Sequence, residues 1–228
     1  SDSGEVYQVN LTEKILVPIL AKLSNFIPEA GIWMNTQRPE WNDANNALVG
    51  YGVSMVTLYY LRRHLAFCLE LFGSFDQEAI DISEEVAEWF YNILATFKEN
   101  SELLKSSISD QNRKLILDEL EKAAEKYREQ IYSKGFTGKK AELSTGDLIN
   151  FFEIALSFID HSIEANKRED ELYHSYNLIE NIDSDSVSIR YLYKMLEGQV
   201  AILSSGFLSI QESREVLSAL RHSDLYRE

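Results

Sequence analysis

Residues that interrupt secondary structure are scarce in this chain. Its 228 residues include 3 prolines and 10 glycines, and so few breakers favour long helices. Cysteine is scarcer still. Cys68 is the only one, so no disulfide can form within the chain. Because its neighbours in Leu65–Leu69 are mostly apolar, we expect a buried, inert thiol rather than a nucleophile.

Basic residues and long apolar runs are also scarce. Lys and Arg total 22 against 37 Asp and Glu, which gives a net charge of −15. Such a surface repels phosphate backbones and anionic lipids, so we expect no nucleic-acid partner. No stretch reaches the roughly 18 apolar, uncharged residues of a membrane span, so we expect no membrane partner either. The acidity alone identifies no substrate.

Apolar residues recur at helical spacing through most of the chain. For example, Leu16, Leu20, Leu23 and Ile27 follow a capping box that begins at Asn10. This periodicity predicts about seven helices, near residues 11–27, 47–72, 83–98, 101–133, 144–165, 186–203 and 209–222. No segment alternates apolar and polar residues convincingly, so no strand is predicted. The sequence therefore predicts an all-α fold of antiparallel helical hairpins, with residues 1–228 forming a single helical domain.

The segment 38–46 concentrates polar side chains just before the predicted helix 47–72. It belongs to a connection, residues 28–46, that is long for a compact domain and therefore typical of a functional loop. Its candidate site residues are Arg38, Glu40, Trp41, Asn42, Asp43, Asn45 and Asn46.

Two carboxylates beside an indole fit acid–base chemistry at a glycosidic bond. An apolar wall, here Trp41 and Trp33, raises the pKa of a carboxyl group, which Glu40 or Asp43 would need in order to donate a proton near neutral pH. The guanidinium and the carboxamides of the segment can bind sugar hydroxyls. A purely structural explanation remains open, in which Asp43 or Asn45 caps the following helix while Trp41 packs against it.

Other reactive side chains offer weaker patterns. His64, His161 and His222 have no metal-ligand spacing and are expected to be structural, whereas His174 lies in a polar, aromatic segment and is a candidate pocket residue. Asp183–Asp185 lacks the glycine and the terminal glutamate of a calcium loop, and Ser186 beside it can serve as a helix cap. No serine has the glycine pattern of a nucleophile elbow. We therefore expect no metal and no cofactor.

The segment Arg38–Leu48 resembles the Trp-Asn-Asp segment of the six-hairpin (α/α)6-barrel glycosidases, most closely the glycogen-debranching and cellobiose-phosphorylase type. Ser54–Tyr60 fits an inner barrel helix of that family, and Asp170–Asn177 and Leu196–Val200 look similar to later segments. The resemblance implies that Asp43 is the general acid of a glycoside hydrolase-like enzyme. It further implies an oligosaccharide or glycoside substrate and a bacterial source.

Two departures accompany the resemblance. The family's glycine after Asn-Asp is Ala44 here. Six hairpins also need about twelve helices. The chain is therefore expected to be either part of a larger catalytic domain, with other parts of a longer polypeptide as its partners, or an incomplete relative of that fold. Glu197 is the candidate for the second catalytic carboxylate. The alternative function is a non-catalytic helical module that binds a sugar or a protein. The sequence leaves the compartment open between bacterial cytoplasm and periplasm.

Overall fold

The computed structural model describes residues 6–35 and 43–227, where helices alternate with short strands. The helices are α1 (Leu11–Leu23), α2 (Asp43–Leu48), α3 (Met55–Gly73), α4 (Glu84–Glu99), α5 (Asp110–Lys134), α6 (Thr145–Ala165), α7 (Leu196–Ser204) and α8 (Ile210–His222). A 3-10 helix, Ser101–Lys105, links α4 to α5. The strands are β1 (Phe26–Ile27), β2 (Gly31–Trp33), β3 (Gly52–Ser54), β4 (Ala79–Ser83), β5 (Lys140–Ser144), β6 (Tyr176–Ile182) and β7 (Val187–Tyr191).

The prediction of an all-α fold is wrong, and with it the expected set of helical hairpins from an (α/α)6 toroid. The chain is mixed α and β, with a five-stranded sheet and a two-stranded sheet. β1, β2 and β3 have only 2 or 3 residues, too few for a pattern, whereas Val187–Tyr191 of β7 does alternate apolar and polar residues over its 5 residues. In β1 and β3, which have 2 and 3 residues, every residue is buried, so no polar face marks them.

The five-stranded sheet has the order β1-β2-β3-β6-β7, and every pairing is antiparallel. Its centre joins distant parts of the chain, since β3 pairs with β6 in the register Gly52↔Leu178 and Ser54↔Tyr176. A small cluster that includes Ile27, Val53 and Val187 packs between this sheet and α5.

The two-stranded sheet pairs β4 with β5, and each strand leads directly into a helix. Ser83 ends β4 and precedes α4, while Ser144 ends β5 and caps α6 by accepting a hydrogen bond from the Asp147 N–H at 2.9 Å. The helices α1, α3, α4 and α6 enclose the main core. Cys68 is fully buried in that core, as predicted, and burial raises the pKa of its thiol to about 11.

Four predicted helices are divided differently in the structure. The predicted helix 11–27 becomes α1 and β1, and 101–133 becomes the 3-10 helix and α5. The predicted helix 47–72 becomes α2, a turn, β3 and α3. The turn requires glycine at position 52, where a Cβ would lie 2.4 Å from the Leu48 Cβ, and Ser54 caps the new helix by accepting a hydrogen bond from the Thr57 N–H. The predicted helix 186–203 becomes β7 and α7. None of the helices in the described part of the chain is long and apolar enough to cross a membrane.

Candidate functional site

The segment that carries the predicted site residues leaves the sheet at β2 and returns to it at β3. Its base is closed by three hydrogen bonds: the Met34 N–H donates to the Gly52 carbonyl at 2.8 Å, the Gly50 N–H donates to the Met34 carbonyl at 2.7 Å, and the Trp33 Nε1–H donates to the Gly50 carbonyl at 3.1 Å. The indole N–H of Trp33 is therefore occupied at the base of the loop.

The predicted residues of this loop fall into two groups. Arg38, Glu40, Trp41 and Asn42 lie outside the described residues. Asp43, Asn45 and Asn46 belong to the short helix α2, where Asn46 is exposed. The backbone therefore puts Asp43 at the start of a helix that leads into β3.

Glu197 lies in the first turn of α7, where a tyrosine of the sheet holds it. The Tyr176 hydroxyl donates a hydrogen bond to Glu197 Oε2 at 2.7 Å. Tyr176 is buried, whereas Glu197 is exposed. A carboxylate fixed on one side and open on the other is suited to act on a bound molecule.

The start of α7 docks tightly onto the chain before β6. The Gly198 N–H donates to Ser175 Oγ at 2.9 Å, and a Cβ on Gly198 would lie 2.3 Å from that oxygen. The buried Gln199 side chain bonds both the N–H and the carbonyl of Tyr173, at 2.9 and 2.7 Å. These contacts fix the position of Glu197 through the backbone as well as through its own side chain.

His174 is buried just before β6 and stacks on Tyr191 of β7, with ring centroids 4.4 Å apart. Burial, assisted by the charge of Arg168, lowers the pKa of His174 to about 4, so its imidazole is neutral near pH 7. Its Nδ1 has no hydrogen-bond partner among the described residues. The predicted pocket residue is thus a neutral ring next to a half-exposed tyrosine.

The pairing of β3 with β6 relates the two carboxylate-bearing segments. Asp43 precedes β3 along the chain, while Glu197 is bonded to Tyr176, the residue of β6 that pairs with Ser54 of β3. Neighbouring strands lie about 4.8 Å apart. The two segments are therefore attached to adjacent strands in the middle of one sheet.

A second polar cluster, which the sequence did not indicate, surrounds Glu29. Its carboxylate contacts Arg113 Nη2 at 2.7 Å, the Ile108 N–H at 2.8 Å and His161 Nε2 at 3.2 Å. Asn166 Nδ2 donates to the Glu29 carbonyl at 2.7 Å. Because every polar group of Glu29 is engaged within the protein, this cluster fits a structural role, as expected for His161.

Metal binding finds no support in the described ranges. No group of three or more His, Cys, Asp or Glu residues among positions 6–35 and 43–227 is arranged to hold an ion. Asp183 instead accepts hydrogen bonds from the N–H groups of Asp185 and Ser186, both at 2.8 Å, in the turn between β6 and β7. Ser186 is therefore part of a hairpin turn and not a helix cap.

No protein-family model matches this chain, and no curated protein is significantly similar to it.

Proposed function

We propose that this chain contributes to an enzyme site that cleaves a glycosidic bond, with Asp43 as the general acid and Glu197 as the second carboxylate. The hydrogen bond from Tyr176 to Glu197 carries the proposal, because it holds an exposed carboxylate in a fixed position. The attachment of the Asp43 segment to the adjacent strand β3 supports it further. Of the predicted sugar-binding residues, Asn45 and Asn46 share α2 with Asp43.

The assigned roles follow from the chemistry of glycoside cleavage. A general acid protonates the leaving oxygen, and a second carboxylate either activates water or attacks the sugar. Separations of about 6.5–9.5 Å between the carboxyl groups favour inversion, and about 5–5.5 Å favours retention. His174, held neutral by burial, would bind hydroxyl groups without adding charge.

The test is a panel of oligosaccharides assayed with and without phosphate, with Asp43→Asn and Glu197→Gln compared with the wild type. We expect each variant to lose about 100-fold or more in turnover. Glu180→Gln, at an exposed position of β6, is the matched control and should keep wild-type turnover. Dependence on phosphate would identify a phosphorylase.

A substrate with an acidic phenol as leaving group separates the two roles. Such a leaving group needs little protonation, so Asp43→Asn should retain most of its turnover on the aryl glycoside while Glu197→Gln does not. Unchanged turnover of Asp43→Asn on natural glycosides would remove Asp43 from the mechanism.

Sugar binding without catalysis is the second candidate, and two exposed aromatic rings favour it. Tyr191 is 47% exposed against His174, and Tyr193 is 73% exposed two residues later. Flat rings of this kind can stack on the apolar faces of sugars. This candidate predicts calorimetric binding of oligosaccharides with no turnover, and a loss of that binding in Tyr193→Ala.

A further inference from the structure

A groove with an acidic rim runs between α4 and α5. Its cavity has a volume of about 540 Å³. A neighbouring cavity of about 290 Å³ shares Asn92, Ala123 and Lys126 with it, so the groove continues along the two helices. Of the predicted site residues whose side chains the structure describes, Asn46, His174 and Glu197, none lines either cavity. The groove is therefore a separate feature from the Glu197 site.

Two stacked aromatic rings line the groove. Trp89 and Tyr127 have ring centroids 4.4 Å apart and planes 17° from parallel. Trp89 is almost fully buried, and its Nε1–H donates to Ser24 Oγ at 3.2 Å. Tyr127, half-buried and stacked on the buried Trp89, therefore forms a fixed, flat aromatic wall within a polar groove.

Acidic side chains outnumber basic ones around these rings. Four glutamates and two lysines line the larger cavity: Glu84, Glu85, Glu88, Glu129, Lys126 and Lys134. Lys126 forms an ion pair with Glu88, and Lys139 lies 3.8 Å from Glu84. Among the described residues, neither Glu85 nor Glu129 forms such an ion pair with a lysine, an arginine or a histidine.

Glu85 is the one carboxylate of the groove that is buried, with 6% of its surface exposed. Its Oε1 accepts a hydrogen bond from the Thr137 N–H at 2.7 Å, whereas Oε2 has no partner among the described residues. Burial opposes ionisation of Glu85, but the hydrogen bonds from Thr137 and the charge of Lys140 outweigh burial and lower its pKa. A buried, ionised carboxylate with one unpaired oxygen is stabilised by a cation.

We propose that the α4–α5 groove binds a linear aliphatic polyamine. Its ammonium groups would pair with Glu85 and Glu129, and its methylene chain would lie along the Trp89–Tyr127 rings. Aromatic faces attract ammonium groups as well as apolar chains. The elongated shape of the groove favours a linear molecule over a compact one, and its excess of carboxylates disfavours anions.

Calorimetry and tryptophan fluorescence with spermidine and putrescine test this proposal. Trp89 lies in the groove, so binding should change its emission, and Trp89→Phe should remove that change while binding remains detectable by calorimetry. We expect Glu85→Gln to weaken spermidine binding about tenfold, since it removes a buried charge while keeping the acceptor for Thr137. Glu129→Gln should weaken it about threefold, because Glu129 is exposed.

The controls distinguish a site from general attraction to an acidic protein. Glu121→Gln makes the same charge change at an exposed position of α5 that lines neither cavity, and it should bind like the wild type. Butylamine, with a single charge, and Mg²⁺ at matched ionic strength should bind far more weakly than spermidine. Equal loss in Glu121→Gln and Glu85→Gln, equal binding of Mg²⁺, or no binding by the wild type would each overturn the proposal.

Discussion

The turn between β1 and β2 depends on a glutamate in a conformation that usually requires glycine. The Ala30 N–H bonds the Ile27 carbonyl at 3.0 Å, Pro28 is the second residue of the turn, and Glu29, the third, has φ of 60°. A type II turn of this kind normally has glycine there. We infer that the contact with Arg113 compensates for the backbone strain at Glu29.

Replacing Arg113 with methionine measures that compensation. The two side chains are 9% and 7% exposed, so the substitution leaves a buried carboxylate without its main counter-charge. Breaking a buried ion pair costs about 3–5 kcal/mol. The Ile108 N–H and His161 still contact the carboxylate, which favours the lower end of that range. We therefore expect Arg113→Met to lose about 3 kcal/mol, or about 6–12 °C in melting temperature for a chain of this size.

Urea denaturation monitored by circular dichroism is the assay, applied to Arg113→Met, Glu29→Gln and the double variant. Each single change removes the direct partner of the other buried group, although Arg113 keeps its contacts with Asp110 and the Pro28 carbonyl. The double variant should therefore lose clearly less stability than the sum of the singles. Lys105→Met is the control, since Lys105 pairs with Glu102 at the exposed surface and should matter by less than about 0.5 kcal/mol. Additive losses, or a loss below about 1 kcal/mol in Arg113→Met, would refute the reasoning.

Three further predictions concern the docking of α7 and the pH dependence. Gly198→Ala should lower the free energy of unfolding in urea by about 2 kcal/mol, because its Cβ would lie 2.3 Å from Ser175 Oγ. Gly146→Ala is the control: its Cβ would have its nearest neighbour at 3.9 Å, so the free energy of unfolding should rise by about 0.5 kcal/mol. Arg62→Met should speed amide hydrogen exchange in α7. Arg62 bonds Asp160 of α6 at 2.7 Å and the Ser205 carbonyl, at the end of α7, at 3.1 Å, so it ties α7 to α6. Unchanged exchange in α7 would contradict this role of Arg62. Burial lowers the pKa of His174 from 6.5 to about 4. As the pH falls from about 6.5 towards 4, the unfolded chain binds the proton before the folded chain does, so the free energy of unfolding falls. Between pH 7.5 and pH 5 the free energy of unfolding of the wild type should fall by about 2 kcal/mol, a loss that His174→Gln does not show.

Local signals in the sequence located most of the long helices. The predicted helices 83–98 and 209–222 correspond to α4 and α8, and the capping box of Ser209 and Glu212 is present in full. Asn10 caps α1 as predicted, by accepting the Glu13 N–H at 2.9 Å. The Glu13 side chain, however, accepts a hydrogen bond from the Ser83 N–H on β4. Caps are local and could be predicted, whereas the partner of Glu13 depends on tertiary structure.

The pairings of β3 with β6 and of β4 with β5, and the site contacts, could not be predicted because they join residues far apart in sequence. β1, β2 and β3 are too short for a period-2 pattern, and of the three only β3 pairs with the distant β6. His174 and Glu197 were candidates from the sequence, but the hydrogen bond that holds Glu197 comes from Tyr176, whose importance depends on the orientation of α7. Glu29 and Glu85 gave no signal in sequence, because a single glutamate looks the same whether it is buried or exposed.

The attachment of α3 to the chain before β6 has a consequence for the order of folding. The N–H groups of Met55 and Val56 both donate to the Ser175 carbonyl, at 3.0 and 3.2 Å, and the Tyr59 hydroxyl donates to the His174 carbonyl at 2.8 Å, across 115 residues of sequence. Contacts of such long range form slowly. During synthesis, these contacts cannot form until residues 174 and 175 have left the ribosome, so the centre of the fold is completed late, after α3 itself can form.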